Sequence, residues 1–76
     1  MSFQAYLDTI ERTTGQSPAD LRRFAAAQGW TTDGVLQPEV KAGAVVATLK
    51  ERFGLGHGHA MAVFALLKGT KREGEK

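Results

Sequence analysis

His57 and His59 stand two residues apart in the stretch FGLGHGHA, residues 53–60, interleaved with Gly54, Gly56 and Gly58. Imidazole is a common metal ligand and carries protons near neutral pH. Residues two apart on a helix point to different faces, so joint chelation needs a non-helical start, which Gly58 allows. No third ligand lies nearby in sequence, and Asp33 or Glu39 would have to reach the pair by folding. The expectation is no metal, with one imidazole capping a helix end or bonding a buried carbonyl. The glycines offer a second chemistry. A glycine corner ahead of a helix leaves backbone N–H groups bare, and such groups attract phosphate. Lys50, Arg52 and Lys68 would add positive charge to a site built on Gly54, Gly56, His57, Gly58 and His59.

Nucleophilic and acid–base catalysis find little support. The chain has no cysteine, and Ser2 and Ser17 are placed as helix caps. The eight carboxylates are scattered over helix faces with no evident buried pair. A short chain also leaves little room for a substrate pocket on the order of several hundred Å³. A non-enzymatic protein without a cofactor or small-molecule substrate is expected.

The elements that position these residues read as helices. The 76 residues suffice for one small domain. Phe3, Tyr6, Leu7 and Ile10 recur at helical spacing, which predicts a first helix from about Phe3 to Thr14, capped by Ser2 and stopped by Gly15. Ser17-Pro18-Ala19-Asp20 opens a second helix as a variant capping box, with Leu21, Phe24 and Ala25 inward and Gly29 at its end. Residues 30–40 form a connector with a turn at Asp33-Gly34, packed on the body through Val35, Leu36 and Val40 and anchored by Trp30. A third helix runs from near Lys41 to Phe53, its stripe Val45, Val46, Leu49 and Phe53. A fourth runs from about His57 to Lys68 with little polar surface. A helix so apolar must be enclosed, either as the centre of the domain or against a second copy.

The predicted fold is all-α: a compact single domain of about four helices over residues 1–68, the last two forming a glycine-cornered helical hairpin. Residues 69–76, GTKREGEK, lack an apolar anchor and are expected to be a disordered charged tail. Ten Lys and Arg against eight Asp and Glu give a formal charge of +2, of which the tail carries +1. The remainder is near neutral, whereas a dedicated nucleic-acid binder usually shows a clear basic excess. The start MSFQAYLDTIER lacks a basic, apolar leader pattern, and the longest weakly polar run, residues 60–67, is too short to span a bilayer. A cytoplasmic protein without membrane contact is expected.

Gly54-Leu55-Gly56, then Ala60, Val63 and Phe64, resembles the helix-hairpin-helix motif of many DNA-binding proteins. The resemblance implies that Leu55 plugs the two helices, that Ala60 lets them approach, and that the corner N–H groups hold a phosphate; the alternative reading, which the residues favour, is a close helix corner that serves packing alone. His57 and His59 stand where such motifs usually carry Lys or Arg. A longer resemblance covers SFQAYLDTIERTTG, SPADLRRFAAAQG and LQPEVKAGAVVATLKERFGLGHGHAMAVFALLK. Tyr6, Thr14, Gly15, Pro18, Lys41, Gly43, Val46, Leu49, Lys50 and the run from Phe53 to Ala60 carry it. The chain is similar to a family of small bacterial proteins, the domain of unknown function 4287 family, which often has tryptophan where this chain has Thr48. That resemblance implies a compact helical domain and supplies no activity.

Two functions are expected to compete. One is weak, sequence-independent contact with nucleic-acid phosphates at the corner. The other is association with another protein or a second copy through the fourth helix, using Met61 and Phe64 with Trp30.

Overall fold

Helices form where apolar spacing and punctuation agree, and a small hairpin fills the connector between them. The computed structural model describes residues 3–69. The expected cap Ser2 and the expected tail beyond Gly69 lie outside those residues.

Helix α1 spans Phe3–Thr14. Phe3, Leu7 and Ile10 are buried at helical spacing, with Tyr6 half-buried beside them. The hydroxyls of Thr9, Thr13 and Thr14 donate back one turn to the carbonyls of Ala5, Thr9 and Ile10 at 2.9, 2.9 and 2.6 Å, a common resort of threonine inside a helix. Helix α2, Pro18–Ala27, starts at a complete capping box. The Asp20 N–H donates to Ser17 Oγ at 3.2 Å, and the Ser17 N–H donates to the Asp20 carboxylate at 3.0 Å. The Ser17 N–H above all, then its hydroxyl and the Arg23 guanidinium, hold the Asp20 carboxyl below its usual range. At the other end the Trp30 N–H reaches the Ala25 carbonyl at 2.9 Å and the Gly29 N–H reaches Ala26 at 3.0 Å. With Gly29 at φ +79°, this is a Schellman closure.

The connector holds two short strands that sequence patterning does not reveal. Strands β1, Thr31–Thr32, and β2, Val35–Leu36, pair antiparallel in the register Thr31 with Leu36 and Thr32 with Val35. Asp33 and Gly34 both have positive φ, +53° and +78°, as a two-residue hairpin turn of the primed kind requires. Trp30, Leu36 and Val40 pack on the core as expected. Val35 does not: it is 68% exposed, because alternate strand residues face opposite ways.

Helix α3, Ala42–Phe53, buries Val45, Val46 and Leu49. Helix α4, His57–Lys68, buries Ala60, Ala62, Val63, Leu66 and Leu67. Of the two enclosures open to it, α4 takes the central one, packing against α3, α1, α2 and β2. Leu7, Ile10, Leu21, Val45, Leu49 and Val63 form the fully enclosed heart of one apolar core, which holds no buried polar or charged residue among those described. Among the described residues, no helix is long and apolar enough to cross a membrane.

Candidate nucleic-acid interface

The corner joins α3 to α4 through three residues with distinct backbone duties. Gly54 adopts φ +68° and returns its N–H to the Lys50 carbonyl at 3.0 Å, closing α3. A side chain at this φ would crowd its own backbone. Leu55 turns inward and is buried. Gly56 is extended at φ −71° and ψ 167° and precedes α4 with no side-chain cap. The first α4 bond runs from the Ala60 N–H to the Gly56 carbonyl at 2.9 Å. The N–H groups of His57, Gly58 and His59 therefore begin the helix with no carbonyl a turn behind them. The first turn holds no acidic side chain, and His57, Gly58 and Gly56 are exposed. The end of the helix dipole there carries roughly half a positive charge.

The two imidazoles part company. The His57 ring is exposed, whereas the His59 ring is half-buried and meets Tyr6 edge-on, centroids 5.0 Å apart. His59 Nε2 is buried and makes no hydrogen bond. The expected bond from an imidazole to a helix end or buried carbonyl is not formed at this atom, because the ring packs against an aromatic face instead. Among the described residues, no three His, Cys, Asp or Glu side chains converge where one metal ion could sit.

The expected cations gather only in part. Lys50 and Arg52 lie in the last turn of α3, beside the corner, yet two positions apart they point about 200° from each other. The Arg52 guanidinium lies over the Phe24 ring, 5.5 Å from its centroid. Phe24 meets Phe53 and Trp30 edge-on, at 5.0 and 5.7 Å, so the aromatic cluster fixes one charge of the corner in place. Lys68 does not join it. It is the last residue of the 12-residue α4, roughly 16 Å from the first at 1.5 Å per residue. Of the side chains expected to serve an interaction surface, Trp30 and Phe64 are half-buried and Met61 is 36% exposed.

The family model described as Domain of unknown function (DUF4287) matches residues 2–69. The chain belongs to this family. The match spans every helix described above and the corner. No curated protein and no solved structure matches the chain.

Sequence reasoning missed two features of this region. The Arg52–Phe24 stack joins residues 28 positions apart, beyond the reach of any local spacing rule. The Tyr6–His59 contact joins α1 to the first turn of α4, and no spacing rule links them.

Proposed function

We propose that the protein is a non-catalytic binding module whose α3–α4 corner takes a nucleic-acid phosphate without reading sequence. One observation carries this reading: α4 opens on Gly56 with no capping side chain and no acid in its first turn, leaving three N–H groups facing an exposed corner. A phosphate placed there would accept those N–H groups and gain from the helix dipole. Lys50 or Arg52 would add a charge from the end of α3. Contacts of this kind position a backbone and carry no base information. The association reading through α4 is less favoured, since α4 already buries five of its residues inside its own chain.

The test is binding of a short labelled duplex by fluorescence anisotropy across a salt series. One neutralised phosphate predicts a slope of about −0.9 in log affinity against log salt, or about a three- to fourfold loss between 50 and 200 mM. His57→Asp separates function from folding. The acid at the helix start should raise stability by about 0.3–1 kcal/mol, while repelling phosphate. Absence of binding at low salt, or unchanged affinity in His57→Asp, defeats the reading.

A further inference from the structure

The hairpin in the connector turns on two residues, and their backbone favours a reaction between them. Among the described residues, Asp33 is the one non-glycine with positive φ, at +53°, and Gly34 follows at +78°. The pairing of Thr32 with Val35 makes these two the whole loop, a type I′ turn. Both are exposed. Among the described residues, the Gly34 N–H meets no backbone carbonyl, and the Asp33 carboxylate makes no hydrogen bond or ion pair. A methyl built on Gly34 would find nothing within 4 Å, so the space around the loop is open.

We propose that Asp33-Gly34 is a site of covalent self-modification: the Asp33 side chain closes on the Gly34 nitrogen as a cyclic imide, which water reopens as an isoaspartyl linkage. The Gly34 nitrogen attacks Cγ of the protonated Asp33 carboxyl. A C–N bond forms, the nitrogen gives up its proton, and the carboxyl hydroxyl leaves as water. Closing this five-membered ring eclipses Asp33 Cβ with the Gly34 nitrogen, which needs ψ of about −120°, the value at the first position of a type II′ turn, where φ is about +60°. The observed turn already holds Asp33 at that φ. Rotating the one peptide plane between Asp33 and Gly34 converts type I′ into type II′. The rotation changes Asp33 ψ and Gly34 φ and leaves the strand ends in place. Glycine takes either sign of φ, so Gly34 permits the flip. Water then adds to one of two carbonyls. Addition at Cγ restores aspartate. Addition at the main-chain carbonyl leaves the chain running through Cβ and Cγ, one methylene longer and unchanged in net mass. That added atom falls between Thr32 and Val35 and breaks their register.

The other aspartates are held away from this chemistry, and the chain has no asparagine. Asp8 lies within α1 and accepts a bond from Gln4 Nε2 at 2.8 Å. Asp20 lies within α2, where its carboxylate accepts the Ser17 N–H at 3.0 Å and the next N–H, that of Leu21, is bonded to the Ser17 carbonyl at 2.9 Å.

The experiment holds the full folded chain for weeks at neutral pH in oxygen-18 water and then digests it with trypsin. Cleavage after Arg12, Arg22, Arg23 and Lys41 puts the three aspartates on three separate peptides. Heavy oxygen is expected at Asp33 and not at Asp8 or Asp20, with isoaspartate at Asp33 in the fragment spectrum. Samples quenched in mild acid should contain a species one water lighter. The folded chain should label at least as fast as the chain in urea, and its converted fraction should show shifted amides at Thr32, Val35 and Leu36. Asp33→Glu should lose the label, because its ring would need six members. Asp33→Asn keeps the turn chemistry and should reach the same imide by losing ammonia. Equal labelling of the three aspartates overturns the proposal, as does an unlabelled Asp33. Slower labelling when folded than in urea overturns it by showing that the turn shields the pair, and so does an Asp33→Asn protein that keeps its amide while folded.

Discussion

Helices α2 and α4 face the same problem at their starts and solve it in opposite ways. Each begins with N–H groups that no preceding turn can satisfy. At α2, Ser17 and Asp20 cap each other's backbone and Pro18 supplies a first position with no N–H to satisfy. At α4, glycine stands at the cap position and no acid follows within the turn. Stability alone favours the α2 arrangement. The bare start of α4 is thus a place where donors remain for an outside anion, as is the start of α3 behind Lys41, which also lacks a side-chain cap and a first-turn acid. The exposed glycine corner and the contrast with α2, more than any side-chain charge, set the functional reading.

The contrast can be broken from the corner. Gly54→Ala forces a methyl-bearing residue to φ +68° and should cost about 1–2 kcal/mol, read by chemical denaturation; a negligible loss would mean that the corner relaxes freely. Next in size, Ser17→Ala should cost about 1 kcal/mol by unmaking the closed start of α2. Acid sharpens that result. The folded Asp20 carboxyl titrates below its ordinary value of 3.8. Its contribution is therefore complete above the unfolded value and is lost as pH falls through the lowered folded one. The Ser17→Ala variant should show a flatter stability profile in that acid window, whereas uncharged substitutions at the start of α4 should leave its slope unchanged.

Smaller effects sharpen the comparison from the α4 side. Gly58 has ordinary helical backbone, and a new methyl there meets only Tyr6 Cε1 at 4.0 Å. Gly58→Ala should add about 0.5 kcal/mol, seen as a higher melting temperature. The smallest change is Gly56→Ser, whose extended backbone suits a capping hydroxyl. It should add about 0.3 kcal/mol and reduce duplex binding, because the hydroxyl then occupies an N–H that the phosphate would use. A Gly56→Ser protein that binds duplex as wild type does would remove the link between the bare start and function.

Much of the body was legible because sequence rules act locally. The stripe Phe3, Leu7 and Ile10, the box Ser17–Asp20 and the stops Gly15, Gly29 and Gly54 each act within one or two turns. Helices α1 and α4 begin and end where the spacing predicts, and α3 begins one residue later than Lys41. The hairpin was illegible because two-residue strands are too short to alternate; only its Asp33-Gly34 turn leaves a trace. The site was legible as a backbone corner and not as a charge constellation. Whether Lys68 reaches the corner depends on helix length, and whether Arg52 stays near it depends on Phe24, from another helix.

The two-rung hairpin has a kinetic consequence. Paired strands this short are marginal without support, and this pair leans on α4 through β2. Among the described residues it should be the first segment to open, ahead of any helix, so a protease in limiting amount should make its first cut within residues 3–69 near Asp33-Gly34. The products would be two helix pairs, and their staying together after the cut would measure how much of the domain's cohesion resides in α4 rather than in the covalent chain.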